Sequence, residues 1–467
     1  MGSINSLMDI ARQALMADQD ALNVTSNNVA NQNTAGYTRQ VVDFQAVDSV
    51  TLSGGSFGAG VTASETSARD RVLEQQVQQQ TQVQAQSRAL ASALQQIQNI
   101  FGLSSTASSP ASTELGTATN SFFSALSALA GNPADTATRQ NVLAAANALA
   151  GAFNSTANQL GQVNASLNQQ VVSDVGQVNS LTSTIASLNA QISSLSPAAD
   201  AGTLEDQRQL AITQLSQLTG LDQISTENNG ITLTTSGGAV LVSGNQSFAM
   251  STTTIGGTQH ILAGVNDADV TSELTGGDLG GVLEARDQKL PTYQSALDTL
   301  AFDVGIQVNQ QNGLGVDGNG NPGGGLFNLP PTPTGAAAMI QVATTDPNAV
   351  AAAGPGEGSA GNSNASALAD LANDNVVGSQ TASGFIASFL GKIGSDVSAA
   401  TTDNNAQQTT LTQLTTQSDS FSGVSLDEEA SNLTQYQRAY QAAAEVFNIG
   451  NSIMASAINL GVETAVT

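Results

Sequence analysis

Cysteine and tryptophan are missing from the 467 residues, histidine occurs once and proline only ten times. Without cysteine there are no disulfides, no thiol nucleophiles and no thiolate metal sites, so stability must come from burial alone. Charge is scarce as well: Asp, Glu, Lys and Arg make up 10% of the chain, against roughly 25% in an ordinary soluble domain. Polarity therefore rests on Ser, Thr, Asn and Gln. Cations are the scarcer sign, 11 against 37 anions for a net charge of −26. So few cannot neutralise a phosphate track, which argues against nucleic acid and against anionic membrane as partners. No stretch reaches the ~18 uninterrupted apolar residues of a membrane span, so no membrane insertion is expected. The opening MGSINSLMDIARQALMADQDAL has neither a basic n-region nor an unbroken apolar h-region, so no Sec signal is read there. Export, if any, is expected by a route that needs no cleaved signal.

The length suggests roughly two to four domains. Ile4, Leu7, Met8, Ala11, Ala14, Leu15, Ala21, Leu22 and Val29 recur at three- and four-residue spacings, which predicts one helix with a thin, half-alanine stripe. At the other end Leu426, Ala430, Leu433, Tyr440, Ala444, Phe447, Met454 and Ile458 repeat the pattern. Both termini read as coiled-coil helices. Between them Phe153, Leu160, Leu167, Val171, Asp174, Val178, Ile185 and Ile192 belong to a run of about six heptads, a rod of roughly 60 Å. Pro197 and Gly202 break it before a return helix from Thr203 to Leu218, and another helix from Val72 to Phe101 is expected beside it. From Gly220 the period changes to β-formers between Asn-Gly and Gly-Gly turns. Helix resumes near Leu279 and gives way to a Gly/Pro-rich loop from Gly313 to Gly335. The expected fold is mainly α with β insertions. Its parts are a terminal coiled-coil domain of 1–35 with 426–467, and an elongated helical body of 36–220 with 276–312 and 376–425. A small β insertion at 221–275 and a loop with a possible small β insertion at 313–375 complete it.

Candidate chemistry is sparse. Gly54, Ser56 and Gly58 spell the G-x-S-x-G nucleophile pattern, but no buried strand precedes them and His260 is the only imidazole base. Gly318, Gly320 and Gly323 match G-x-G-x-x-G yet precede a Pro-rich loop rather than a helix, so turn glycines are the better account. Asp317, Asn319 and Asn321 resemble the start of a calcium loop, with Pro322 where its glycine belongs and Asn328 where its glutamate belongs. Calcium there would be adventitious. His260 has no second His, no Cys and no evident carboxylate cluster near it in sequence, and is read as an ordinary strand residue. Ser425 to Glu428 fit a capping box, and Asp427, Glu428 and Glu429 complement a helix dipole. No catalytic, cofactor or metal site is expected, and the chain is not read as an enzyme.

The terminal helices remain. Burying four or five large side chains of the first helix contributes roughly 2 kcal/mol each. Ordering some thirty residues costs about 1 to 2 kcal/mol per residue, only partly offset by intrahelical hydrogen bonds. The ends are therefore expected to be loose in the monomer and ordered in an assembly. The alternative is an intramolecular coiled coil.

Ala21 to Gln40, ALNVTSNNVANQNTAGYTRQ, resembles the amino-terminal signature of the flagellar rod, hook and hook-associated proteins. Its Asn/Thr/Ser run ends the helix, Gly36 permits a left-handed cap, and Tyr37 and Arg39 are left to anchor the turn. Ala35 stands where that family often has proline. At the other end SGVSLDEE from Ser422 and NLTQYQRAYQAAAEVF from Asn432 are similar to the matching terminal signature. Gly276 to Asp287, Leu204 to Arg208 and the loop from Gly313 are similar to interior segments of the family's junction members. Glu445 appears where a basic residue is expected. The resemblance implies a subunit exported through the flagellar type III apparatus and found outside the cell in the flagellum, forming a homo-oligomeric ring between hook and filament. Its implied partners are the hook protein, a second junction protein or the filament, and an export chaperone on the face of Leu433, Tyr440, Phe447 and Met454. The implied assembly residues are Leu7, Leu15, Leu22, Asn31, Gly36, Tyr37, Arg39, Leu426, Leu433, Tyr436, Tyr440, Phe447, Met454 and Ile458. A hook or distal-rod protein would share both signatures without the long rod; a secreted adhesin is the alternative of another class.

Overall fold

The computed structural model describes residues 2–47, 50–52, 55–57, 60–102, 113–195, 201–225, 230–264 and 266–463. Helix α1 (Gly2–Asn31) leads into strands β1 (Gln40–Val47), β2 (Val50–Leu52), β3 (Gly55–Phe57) and β4 (Gly60–Ser67). Helices α2 (Arg71–Ile100), α3 (Glu114–Gly131), α4 (Thr136–Ser194) and α5 (Gly202–Leu218) follow. Next come β5 (Leu221–Ser225), β6 (Ile231–Thr235), β7 (Val240–Ser243), β8 (Gln246–Ser247), β9 (Ser251–Ile255), β10 (Thr258–Ala263) and β11 (Ala268–Asp269). Helix α6 (Gly277–Glu284) passes through a π-helical turn at Ala285–Lys289 into α7 (Leu290–Leu314). The chain closes with β12 (Phe327–Asn328), α8 (Ala336–Met339), β13 (Gln341–Val342), α9 (Ser363–Asp370), α10 (Ala382–Ser422) and α11 (Leu426–Glu463). The fold is mainly α with β insertions, as the periodicities predict.

Helix starts follow from local chemistry. Asp70 accepts hydrogen bonds from the Val72 and Leu73 amides at α2, Asp135 from Ala137 at α4 and Thr381 from Gly384 at α10, each cap contributing about 1 kcal/mol. Helix α4 is the spine. It runs 59 residues, about 88 Å, longer than the heptads alone predict because its first turns carry alanine (Ala146, Ala150, Ala152) where a heptad would carry leucine. One core packs the first half of α4 with α3, α7, the C-terminal end of α2 and the first half of α10 around Phe122, Phe153, Leu297 and Phe389. Phe101 and Phe389 meet edge-on with centroids 5.2 Å apart. A second core joins the far half of α4 with α5, α6 and the β unit through Val171, Val178, Ile212, Leu233 and Ile261.

The β unit comprises an antiparallel sheet in the order β5-β6-β7-β8 and a second in the order β11-β10-β9. Three asparagines on α4 hold it to the spine. Asn168 Oδ1 accepts from the Gln259 amide at 2.8 Å. Asn179 pairs with both main-chain groups of Met250, each at 2.8 Å. Asn189 donates to the carbonyls of Ile231 and Gly244. Their spacing of about three turns puts them on one face. Arg286 and Arg208 orient the outer two by donating to Asn168 Oδ1 and Asn189 Oδ1.

Two segments differ from expectation. Residues 40–67, placed in a helical body, form an antiparallel hairpin of β1 with β4 and a ribbon of β2 with β3. β1 is QVVDFQAV with both faces largely exposed, so it lacks the alternation that marks a half-buried strand. Residues 313–375 hold a two-residue strand pair, two short α-helices and one 3-10 turn at Pro347–Ala349. Leu326, Phe327, Ile340, Val350 and Leu368 from this segment are buried in the first core.

Candidate assembly interface

Helix α1 presents three faces. Met8, Ala11, Leu15, Asp18 and Leu22 turn to α11; Gln13, Ala17, Val24 and Asn28 turn to the hairpin; Asp9, Arg12, Met16 and Asp20 face solvent. The opposing seam on α11 is Leu433, Tyr436, Tyr440, Ala443, Phe447, Gly450, Met454 and Ala457, a regular heptad. Gly450 lets the helices close: a Cβ there would lie 3.1 Å from Met8 Cγ. The helices run antiparallel, with Met8 at Gly450 and Asp18 near Tyr436. Residues at the two ends of the seam therefore overhang: Leu426 lies past the end of α1 and Ile458 past its start, and both are exposed. Leu7 sits at the edge of the face and is partly exposed, Leu15 and Leu22 are half-buried, and Tyr440 remains at the margin of exposure.

The signature loop joins this helical pair to the body. Asn28, buried near the end of α1, donates from Nδ2 to the Gln40 carbonyl at 2.8 Å. Its Oδ1 accepts from Tyr37 Oη at 2.9 Å and the Gln40 amide at 3.0 Å. Asn31 closes the turn, donating to the Asn27 carbonyl and accepting from Thr34. Gly36 takes φ of +79° against the side chain of Leu210, a conformation costly to any residue with a Cβ. Burial, with Asp206, Glu429 and Glu65 around it, pushes the Tyr37 phenol up to about 12.

Arg39 then bridges the two termini. Its Nε donates to Glu429 Oε1 at 2.8 Å and its Nη1 to Glu428 Oε2 at 2.6 Å, while its amide donates to the Ser422 carbonyl at 2.9 Å. Glu429 is buried, so this pair is shielded where ordinary surface pairs are not. The Glu428 carboxylate thus goes to Arg39, adding a partner that the capping-box reading does not include. On the other side the Thr38 amide donates to Asp206 Oδ2 on α5, and Arg69 binds Asp206. Burial raises the Asp206 carboxyl despite these donors. Phe44 of β1 packs on Tyr436 with centroids 5.9 Å apart.

The structure brings Asn31, Gly36, Tyr37, Arg39 and Tyr436 into one neighbourhood and strings Leu7, Leu15, Leu22, Leu433, Tyr440, Phe447 and Met454 along the seam. Asn28, Asp206, Glu428 and Glu429 were not among the expected site residues. Asn28 carried a signal in the Asn-rich run; Asp206 lies in the Leu204 to Arg208 segment noted for its resemblance, but nothing there linked it to Thr38.

The other candidates resolve differently. Gly54 and Gly58 lie outside the described residues, and Ser56 belongs to the β2–β3 ribbon. Asp317 Oδ1 accepts from the Asn319 and Asn321 amides, which turns the carboxylate onto its own loop. His260 is not without a carboxylate: strand pairing of β10 with β11 places Asp269 Oδ2 at 2.6 Å from its Nδ1. Among the described residues no group of three or more His, Asp or Glu is placed to hold a metal ion, and no helix is long and apolar enough to cross a membrane.

Paired terminal helices, a signature loop latched to them and a long helical body define a protein of the flagellar axial class. The amino-terminal segment matches the family of flagella basal body rod proteins at residues 8–38, and the carboxyl-terminal segment matches the flagellar basal body rod FlgEFG C-terminal family at residues 416–460. The helical domain of flagellar hook-associated protein FlgK matches at residues 94–327. The chain is 29% identical to flagellar hook-associated protein 1 of Bacillus subtilis, over 97% of both chains. It is 28% identical to that of Salmonella typhimurium, over 98% of this chain and 100% of the other. Its fold is similar to the flagellar hook junction protein FlgK from Burkholderia pseudomallei, with a TM-score of 0.66 and 22% identity over 74% of this chain and 100% of that one. The chain belongs to the FlgK family of flagellar hook-associated proteins, and it is a structural protein of the flagellum.

Proposed function

We propose that the chain is a subunit of the ring joining hook to filament, seated there by its paired terminal helices. The observation that carries this reading is the α1–α11 pair. Two segments some 400 residues apart in the chain meet along a heptad seam, yet Met16, Val446, Ile449 and Ile453 on their outer faces stay uncovered. Exposed apolar rows of this kind on a soluble chain mark a surface meant for other chains. Hook protein on one side and a second junction protein or the filament on the other are its partners.

The same reading takes export to be unfolded passage through the flagellar type III apparatus. A cysteine-free chain has no crosslinks to undo before it is threaded. An export chaperone using Leu433, Tyr440, Phe447 and Met454 would meet that face only with α1 lifted away, so chaperone binding and terminal pairing exclude one another.

Truncation tests the reading. Deleting residues 1–35 or 430–467 should abolish filament attachment and motility in a null strain while leaving a folded core with an unchanged main thermal transition. Motility retained after either deletion would overturn it.

A further inference from the structure

Three of the chain's 11 cations, Arg69, Arg71 and Arg208, line one cavity of about 280 Å³ together with Glu74, Gln78 and Glu205. It lies between the start of α2 and α5, over β5 and β6. Arg71, Glu74 and Gln78 follow one another at three- and four-residue steps, so they share a face of α2 over about 10 Å. Exposure falls along that row: Arg71 is exposed, Glu74 half-buried and Gln78 only 2% exposed. Its polar groups are incompletely paired. Arg71 has no ion pair or hydrogen bond among the described residues, and Gln78 Oε1 accepts from no donor. Glu74 Oε1 stays 3.7 Å from Arg69 Nη1, beyond hydrogen-bond reach. Arg69 Nε is buried without a hydrogen-bond partner, the Nη2 end of that side chain being taken up by Asp206 and the Gly202 carbonyl. A buried polar group without a partner is costly, so several around one cavity point to a molecule that supplies what each lacks.

We infer that this cavity binds a small zwitterion of the α-amino acid class. A carboxylate suits Arg71 at the exposed end of the row, since a guanidinium fork takes it through two parallel hydrogen bonds. An ammonium or amide N–H suits the acceptors further in, Glu74 and Gln78 Oε1. An anion alone would leave those acceptors without donors and set another negative charge beside Glu74 and Glu205. A cation alone would crowd the three arginines. A molecule carrying both signs serves both ends of the row. Burial pushes the Glu74 carboxyl up against the pull of Arg69 and Arg71, and an ammonium beside it favours the ionised form. The volume is at the small end for ligand pockets, which fits a single amino acid or a dipeptide. Arg69 also binds Asp206, the acceptor for the Thr38 amide, so the ligand sits one side chain away from the signature loop.

Calorimetric titration of the full chain with L-glutamine, L-serine and glycylglycine tests this. Saturable binding at one site per chain is expected, and the tightest of the three should raise the main melting transition. Succinate and putrescine, which carry one sign only, should bind roughly tenfold more weakly or worse. Arg71→Ala and Gln78→Leu should each weaken binding roughly tenfold. Arg71 is exposed, so its variant should keep the parent's melting curve without ligand and separates loss of binding from loss of fold. No saturable binding by any of the three probes, succinate binding as tightly as they do, or an Arg71→Ala chain that binds like the parent would overturn the assignment. The junction reading rests on other observations and stands whichever result is found.

Discussion

Asp174 breaks the rule that a helical seam is apolar. It occupies a heptad position of α4, is 5% exposed, and its Oδ2 has no hydrogen-bond partner. Burial, with the Asp278 carboxylate nearby, pushes its carboxyl up to about 6; Asp278 itself is held by Arg88 of α2. A folded-state value above the unfolded one means the protonated form is favoured by folding. Its stability is fully present below the ordinary carboxylate range and is lost as pH rises through about 6. At neutral pH the ionised form should cost about 2 kcal/mol after allowance for solvent screening. Asp174→Asn should therefore raise the melting temperature at pH 7.5, and the wild-type advantage of pH 5 over pH 7.5 should shrink in the variant. Thermal scans at the two pH values check this; an equal pH response in both proteins would refute it. The buried Glu429, by contrast, has Arg39 within hydrogen-bond reach, whereas Asp174 Oδ2 has no partner.

Among the elements, α1 and α11 stand apart from both cores: the clusters around α4 contain no residue of either helix. Substituting the seam should therefore unseat the terminal pair without unfolding the body. Leu433→Asp or Phe447→Asp is expected to block incorporation into flagella while moving the main melting transition of the purified chain by no more than about 2 °C. A large fall would mean that the pair is part of the body's cooperative unit. The helices with leucine at regular spacing were legible in the sequence: α2 and α5 begin and end within a residue of where periodicity puts them, α4 ends just past Ile192 although it starts well before its heptads, and the β unit opens just past Gly220, where the period changes. The β1–β4 hairpin was not, because its strand is exposed on both faces and has no period to read. The latch was half legible. Gly36, Tyr37 and Arg39 stand out in the loop, but what Arg39 holds lies 389 and 390 residues away, and no local pattern encodes a partner that distant.

For the whole molecule the governing quantity is how much the terminal pair can bury on its own. Ala11, Ala17 and Ala21 are its fully buried apolar residues along α1 apart from Val24, and alanine contributes little transfer free energy per residue. The body, with leucine, phenylalanine and valine buried along the length of α4, needs no such help. A chain of this charge and composition thus divides into a self-sufficient shaft and ends that bury little by themselves, which the proposed assembly would complete. Amide hydrogen exchange is the direct measurement, made on the isolated full chain and again on flagella containing it. The account predicts that α1 and α11 exchange far faster than α4 in the isolated chain and become as protected as α4 in the assembly. Terminal helices already as protected as α4 before assembly would contradict it.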